Sequence, residues 1–244
     1  YIPKKLIEDK LVPLIRSIQK ERQSRHSRMP VFAREGSAFQ KIMHRIKLVA
    51  VTDMSVMIFG ENGTGKEHIA HHLHDKSKRA GKPFVAVDCG SLSRELAPSA
   101  FFGHVKGAFT GADSTKKGYF HEAEGGTLFL DEVGNLALET QQMLLRAIQE
   151  RRYRPVGDKS DKSFNVRIIA ATNEDLEAAV SEKRFRQDLL YRLQDFVITV
   201  PPLRDCQEDI MPLAEFFREI ANKELECNVS GFSSEARKAL LTHA

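Results

Sequence analysis

The segment VMIFGENGTGKE, residues 56–67, decides the fold. Its apolar start at 56–59 predicts a buried β-strand, and the residues that follow match the pattern G-x-x-x-x-G-K. Glycines in such a turn adopt positive φ, so successive backbone N–H groups can point at the oxygens of one phosphate. The helical pattern that begins near Lys66 would turn its positive N-terminal end toward the same anion. The strand before and the helix after favour this interpretation over a glycine-rich surface turn.

A lysine and an acidic residue close this loop. Lys66 would reach the β- and γ-phosphates of a nucleotide. Glu67 takes the place of the Ser or Thr that usually contacts Mg²⁺, and its carboxylate could hold the ion directly or through water. The residues expected around the nucleotide are Gly60, Glu61, Asn62, Gly63, Thr64, Gly65, Lys66 and Glu67.

A second apolar run, GGTLFLDE at residues 125–132, ends in two acids. Carboxylates at the end of a buried strand lose solvation, which a nearby cation or water must offset. We expect Asp131 to bind Mg²⁺ and Glu132 to orient and polarise an attacking water. An Asp-Glu pair alone often only caps a helix, but downstream of a phosphate-binding loop it indicates nucleotide hydrolysis.

Short apolar runs alternate with helical patterns over residues 36–202. This alternation predicts an α/β core in which a parallel five-stranded sheet is flanked by helices. Residues 203–244 change character and predict a small helical lid subdomain. Strands are expected at 56–60, 84–89, 126–131, 167–172 and 196–200, helices include 66–79, 137–150 and 233–243, and the apolar stripe of the lid is Ile210, Leu213, Ala214, Phe217 and Ile220.

Residues 1–35 form a further region, in which an apolar helical stripe precedes a basic, polar stretch ending at Pro30. We expect a helix followed by a linker. The helix either packs on its own domain or forms a dimerising coiled coil, and the stripe is too short to decide. The basic residues at 22–28 favour a solvated tether over a DNA contact. The stripe consists of Ile7, Leu11, Leu14 and Ile18.

The composition is that of an ordinary globular protein. The 244 residues carry a net charge of +4, which is compatible with nucleic acid or acidic partners but demonstrates neither. The three scattered cysteines indicate reduced thiols, and no apolar run approaches the roughly 20 residues that span a bilayer. We therefore expect a soluble, cytoplasmic protein without membrane contact. Four histidines lie within 68–74, but no acidic or cysteine residue completes a ligand set with them, so a metal site is not expected there.

The hexapeptide GAFTGA at residues 107–112 lies between the glycine loop at 60–67 and the acidic run at 125–132. Together with AATNEDL (170–176), FRQDLLYRL (185–193) and PPLRD (201–205), it resembles the central AAA+ domain of sigma-54-dependent transcriptional activators, the bacterial enhancer-binding proteins. The resemblance runs from about Phe32 to the end of the chain. It implies an ATPase that uses ATP and Mg²⁺ in a hexameric or heptameric ring and remodels the closed complex of sigma-54 RNA polymerase into an open one.

The resemblance also assigns roles to single residues. It implies that Thr172 and Asn173 are the first sensor, although an Asn at a strand end is also a common turn former. It implies that Arg186 and Arg192 are arginine fingers reaching the γ-phosphate of a neighbouring subunit, and that residues 152–164 are a second hairpin. Sigma-54 contact is implied for Gly107, Ala108, Phe109, Thr110, Gly111 and Ala112.

The hexapeptide also has a physical interpretation of its own. Flanking glycines keep such a segment flexible, and an exposed Phe109 offers one large apolar contact. The alternative is that Phe109 is buried in a core.

The resemblance extends to both ends of the chain, and Asp88 departs from the family pattern. Residues 1–22 resemble the end of the receiver domain of a two-component response regulator, which implies a phosphorelay. The family usually continues past Ala244 with a second sensor and a domain that binds enhancer DNA, so these would lie outside this chain. Asp88 stands where many members carry an Asn that contacts the Walker B glutamate, and we hypothesise that Asp88 couples Glu132 to the GAFTGA loop.

Two other functions compete with this one. A general AAA+ remodeller with another client is disfavoured by GAFTGA. A non-catalytic module for DNA binding or dimerisation is disfavoured by the intact Lys66, Asp131 and Glu132.

Overall fold

A parallel β-sheet organises residues 37–243, the part of the chain that the computed structural model describes. Five strands form it in the order β2-β3-β6-β1-β7, and two short strands, β4 and β5, form a separate antiparallel hairpin. The predicted five-stranded parallel sheet is therefore confirmed. The strands are β1 (Val56–Phe59), β2 (Phe84–Asp88), β3 (Thr127–Asp131), β4 (Arg152–Tyr153), β5 (Lys162–Ser163), β6 (Arg167–Thr172) and β7 (Phe196–Thr199).

Helices connect these strands and cover both faces of the sheet, as the predicted alternation requires. The helix after the phosphate loop ends at Asp75, four residues earlier than predicted. The Ser77 hydroxyl donates to the His74 carbonyl oxygen at 2.7 Å, so a local side-chain bond occupies one of the last helix carbonyls. The helices are α1 (Ser37–Ala50), α2 (Lys66–Asp75), α3 (Ala97–Phe102), α4 (Tyr119–Glu122), α5 (Leu138–Glu150), α6 (Leu176–Ser181), α7 (Gln187–Leu193), α8 (Gln207–Glu224) and α9 (Ser234–Thr242).

The sheet is apolar on both faces, which explains why its strands appear in the sequence as continuous apolar runs. Ile58 and Ile169 lie in a cluster with α1 and α2 on one face. Met57 and Ala170, their neighbours along the same strands, lie in the cluster formed with α5 and α3 on the other face. This period-two alternation places a helix layer on each side and buries the sheet between them.

An arginine at the start of β6 fixes α1 to the sheet. Arg167 is 1% exposed, and its guanidinium donates to the carbonyl oxygens of Ala50 at 2.8 Å, Val49 at 3.0 Å and Met54 at 3.3 Å. These bonds satisfy carbonyls at the C-terminal end of α1, where a positive charge also interacts favourably with the helix dipole. Burial lowers the pKa of Arg167 from its ordinary value, which reflects the cost of removing this charge from water.

The histidines of α2 pack against β2 and β3. His71 stacks on the ring of Phe84 at 4.1 Å between centroids, and His74 Nδ1 lies 2.9 Å from the Thr127 hydroxyl. Burial lowers the pKa of both imidazoles from the ordinary value for histidine. Their position therefore has a packing explanation.

The two last helices, α8 and α9, pack on each other in the region after residue 203 where the sequence predicts a small helical subdomain. The Ser233 hydroxyl caps α9 by accepting a hydrogen bond from Ala236 N at 3.2 Å. The helix and linker expected at 1–35 lie outside the described residues. No helix among the described residues is both long enough and apolar enough to span a membrane.

We expect Arg167→Met to lower the free energy of unfolding by about 3 kcal/mol, since the backbone carbonyls at the end of α1 lose their buried donor. Urea unfolding followed by far-UV circular dichroism measures this change. Arg152→Met, which removes an exposed arginine, is the matched control and should change the stability little. Equal midpoints for the two variants would contradict the role given to Arg167.

Candidate active site

The phosphate-binding loop has the backbone conformation that its glycines predict. Gly63 and Gly65 have φ of +81° and +89°, a region that other residues rarely adopt. No side chain caps the N-terminus of α2, so its first N–H groups are available to an anion. Lys66 is 7% exposed, and its ammonium donates to the carbonyl oxygens of Gly60 at 2.9 Å and Glu61 at 3.1 Å, which holds it against the loop.

An ion pair that the sequence interpretation missed links this loop to the lid. The Arg204 guanidinium donates to both carboxylate oxygens of Glu61, one of them at 2.8 Å. This bond holds the pKa of Glu61 below its ordinary value. Arg204 belongs to the PPLRD segment after β7, so the motif itself was the signal that could have suggested it.

A cavity of about 420 Å³ lies beside this ion pair, between the phosphate loop and α8. Its lining is largely apolar on the lid side, as expected for a site that receives a base and ribose. The lining residues include Asn62, Gly63, Leu203, Ile210, Leu213 and Phe217.

The two acids after β3 differ in their backbone geometry. Asp131 ends the strand, and its Oδ1 accepts a hydrogen bond from Glu132 N at 3.0 Å. Glu132 has φ of +50° and ψ of +44°, a left-handed conformation that costs a non-glycine residue about 1 kcal/mol or more. Glu132 Oε2 accepts from Asn135 Nδ2 at 2.9 Å, a contact that the sequence interpretation did not include. Such strain commonly marks a functional site.

Asp88 and Glu132 flank one glycine. Asp88 lies opposite Asp131 in the pairing of β2 with β3, and its Oδ1 accepts from Gly90 N at 2.9 Å and Ser91 N at 3.3 Å. A Cβ placed on Gly90 would lie 2.6 Å from Glu132 Oε2 and 3.3 Å from Asp88 Oδ1. The two carboxylates therefore approach each other across Gly90, and both are engaged by N–H donors rather than by each other.

The two residues predicted as a sensor take different positions at the end of β6. Thr172 is buried, its carbonyl oxygen accepts from Gly60 N at 3.2 Å, and its hydroxyl oxygen accepts from Glu174 N at 3.0 Å. Thr172 thereby connects β6 to the phosphate loop. Asn173 is exposed at the tip of the strand.

The carboxylates available for a metal ion are few. Asp131 ends a central strand, and Glu67 lies in the first turn of α2, 3.9 Å from His71 Nε2. Mg²⁺ bound to a nucleotide usually takes one or two protein carboxylates and completes its shell with phosphates and water. The donor set therefore fits this ion.

The two arginines of FRQDLLYRL lie on the surface. Arg186 precedes α7 and pairs with both oxygens of Asp188, at 3.0 and 2.8 Å, which raises the pKa of Arg186 and lowers that of Asp188. Arg192 is exposed in the last turn of α7 and has no ion-pair partner among residues 37–243. Within that range, no hydrogen bond joins either arginine to Lys66 or Glu132.

The GAFTGA segment forms a closed loop. Gly107 N donates to Ala112 O at 2.9 Å and Ala112 N to Phe109 O at 3.0 Å. Gly107 and Gly111 have φ of +81° and +95°, so the glycines are required by tight turns in addition to any flexibility they confer. Phe109 remains 40% exposed and sets its ring edge-to-face against His104 at 5.0 Å.

This loop contacts the hairpin that contains β4 and β5. Val105 N donates to Val156 O at 3.1 Å, and Val156 N donates to Gly103 O at 2.9 Å. A Cβ on Gly157 would lie 2.7 Å from the Cβ of Ala108, so the two backbones touch. The GAFTGA loop and the hairpin at residues 152–164 are therefore in direct contact.

A strand, a glycine loop and a helix that together cradle phosphate, beside an acidic strand end in a parallel sheet, define a P-loop NTPase of the AAA+ class. The family profile described as "Sigma-54 interaction domain" matches residues 32–199. The chain belongs to this family of AAA+ ATPases.

The chain is also similar to transcriptional regulators over most or all of its length. The transcriptional regulatory protein ZraR of Klebsiella oxytoca is 47% identical over 210 residues, 86% of this chain and 47% of that protein. The DNA-binding transcriptional regulator NtrC of Rhizobium meliloti is 40% identical over 250 residues, 100% of this chain and 51% of that protein. NtrX from Brucella abortus, crystallised with ATP, has a TM-score of 0.82 at 31% identity and covers 93% of this chain and 52% of its own. The chain spans about half the length of these relatives.

We expect Gly90→Ala to lower kcat for ATP hydrolysis about tenfold while leaving nucleotide affinity within about twofold. The added methyl group must displace the Glu132 carboxylate, whereas the phosphate loop is untouched. Phosphate release and binding of a fluorescent ATP analogue measure the two quantities. Gly231→Ala is the control, since its Cβ would meet open space. Wild-type kcat in Gly90→Ala would show that Glu132 does not need its observed position.

Proposed function

We propose that this domain hydrolyses ATP at the interfaces of a ring and uses the GAFTGA loop to remodel sigma-54 RNA polymerase into the open complex. One observation carries the proposal. The loop with Phe109 at its tip follows α3 along the chain. The residue Gly90, which the Asp88 and Glu132 carboxylates flank, lies shortly before α3. The nucleotide site and the proposed contact for sigma-54 are thus joined by a short stretch of chain.

Nucleotide binding would use groups that are already oriented. The Lys66 ammonium would exchange the carbonyl oxygens of Gly60 and Glu61 for oxygens of the β- and γ-phosphates. Asp131, with Glu67 as a possible second ligand, would hold Mg²⁺, which neutralises negative charge on the phosphates when bound. The ion pair of Glu61 with Arg204 would make the lid move together with the phosphate loop.

Hydrolysis would depend on Glu132 and on residues at the strand ends beside it. The Glu132 carboxylate would accept a hydrogen bond from the attacking water and orient it in line with the γ-phosphate. Asn173, exposed at the end of β6, would donate to that phosphate or to the water. The mechanism is positioning and charge stabilisation, without a covalent intermediate.

Arg186 and Arg192 would complete the site of a neighbouring subunit. Arg192 is exposed and Arg186 is partly exposed, and neither is bonded to Lys66 or Glu132 of its own chain within residues 37–243. Hydrolysis would then require assembly, in a ring of six or seven subunits. A γ-phosphate would have to compete with Asp188 for Arg186.

Asp88 would couple the state of Glu132 to the loop. Both carboxylates face Gly90, and the chain runs from there through α3 to GAFTGA. Unchanged ATP hydrolysis together with an unchanged yield of open complex in Asp88→Asn would count against this step.

The full protein would be a cytoplasmic two-component response regulator, with a receiver domain before this ATPase and a domain for enhancer DNA after it. The names of two relatives, a transcriptional regulatory protein and a DNA-binding transcriptional regulator, support the role in transcription and the DNA-binding domain.

Subunit mixing tests the arginine fingers. Lys66→Ala and Arg186→Ala should each abolish ATP hydrolysis when alone, because one lacks its phosphate contact and the other its finger. An equimolar mixture should recover activity, since Lys66→Ala subunits can offer intact fingers to intact phosphate loops of the others. Phosphate release from the mixed rings measures the recovery. No recovery, or a fully active monomer on dilution, would rule out action between subunits.

Phe109→Ala tests the contact with sigma-54. We expect ATP hydrolysis within about twofold of wild type and a loss of open-complex formation of about tenfold or more, as for the loss of a central aromatic contact. Permanganate footprinting of promoter DNA measures open complex. Leu48→Ala, which shortens an exposed apolar residue of α1, is the control. Normal open-complex yield with Phe109→Ala would favour a remodeller with another client.

A further inference from the structure

A buried glutamine in α5 connects two segments that are distant in the sequence. Gln141 is 0% exposed. Its Nε2 donates to Leu136 O at 2.7 Å and to Arg184 O at 2.9 Å, and its Oε1 accepts from Arg186 N at 2.9 Å. Leu136 ends the turn that follows Glu132, and Arg184 and Arg186 belong to the segment that enters α7.

The amide fits this position in one orientation. The nitrogen faces two carbonyl oxygens and the oxygen faces an N–H, so rotation of the amide by 180° would oppose like groups. Both N–H groups are used and the oxygen is paired, which leaves this polar side chain satisfied in an apolar layer.

Gln141 occupies a position where packing alone would favour an apolar residue. It shares the buried face of α5 with Leu144, Leu145 and Ile148, at spacings of three, four and seven residues. A leucine or methionine would fill the same space. The amide therefore adds directional bonds that an apolar side chain could not supply.

A carboxylate also lies between the same two segments. The Glu174 carboxylate pairs with the Arg184 guanidinium, and a Cβ on Gly134 would collide with Glu174 Oε2 at 2.4 Å. The buried amide hydrogen-bonds both the turn after Glu132 and the entry to α7, whereas the Glu174 carboxylate pairs with Arg184 and only lies close to Gly134. Of the two, only the amide bonds directly to the backbone of Arg186.

We propose that Gln141 is a positioning residue that fixes the backbone of Arg186 relative to the turn after Glu132, so that each subunit aligns the arginine it offers to its neighbour with its own hydrolytic site. This inference rests on the proposed role of Arg186 as a finger acting between subunits. Gln141 itself touches neither nucleotide nor water.

Substitution at residue 141, in the full-length gene product that contains these residues, tests the inference. Gln141→Met keeps the volume and removes all three bonds. In Gln141→Glu the buried carboxyl takes up a proton, so it still accepts from Arg186 N and donates to one carbonyl. Thr140→Val is the control, because the Thr140 hydroxyl is buried with no hydrogen-bond partner in the described chain.

We expect kcat for ATP hydrolysis to fall about tenfold to hundredfold in Gln141→Met, and less in Gln141→Glu, while KM and the affinity for a fluorescent ATP analogue change less than about twofold. Thr140→Val should match wild type. A role in packing alone predicts the opposite order, since a methionine fits an apolar layer better than a carboxyl does. That order would overturn the inference.

Mixing with Lys66→Ala subunits locates the defect and remains informative if Gln141→Met alone is unstable, because Gln141→Glu can take its place. Recovery of hydrolysis would place the defect on the finger side and support the inference. Failure to recover, when Arg186→Ala mixed with Lys66→Ala does recover, would overturn the inference and leave the proposed function intact. Failure of both mixtures would remove the finger assignment itself.

Discussion

Asp88 and Asp131 are paired residues of β2 and β3, and Phe59 and Thr172 are paired residues of β1 and β6. All these strands are parallel, so their carboxyl ends meet at one edge of the sheet. This register brings together the phosphate loop after β1, the acidic pair after β3 and Thr172 at the end of β6. A slip of one residue in any pair would turn the functional side chains to the other face.

The elements that the sequence predicted well are those governed by local chemistry. The glycine loop, the five strands and the acidic strand end each follow from adjacent residues, and the structure contains all of them. The links it could not predict join distant positions. Glu61 and Arg204 are 143 residues apart, and Arg167 bonds to carbonyls more than 110 residues before it. In the sequence, Arg167 at the start of an apolar run indicates only the beginning of a strand. Its role becomes visible when the structure places the end of α1 beside it.

Conformation within the site was equally hidden. Nothing in the letters Asp-Glu indicates that the second acid adopts a left-handed backbone or that Asn135 holds its carboxylate. The roles of Arg186 and Arg192 came from resemblance to a family, because an exposed arginine on one chain has no local signature of action on another. The structure adds that Arg186 is already paired and that Gln141 holds its backbone.

In the proposed mechanism, the left-handed backbone at Glu132 sets stability and activity against each other. A glycine at this position would adopt φ of +50° without steric cost and so would relax the turn by about 1 kcal/mol, yet it would remove the carboxylate. Random mutagenesis selected only for resistance to heat would therefore favour glycine at this residue and lose the carboxylate. In that mechanism the strained conformation of Glu132 is a cost of catalysis, and selection for function would oppose selection for folding at this residue.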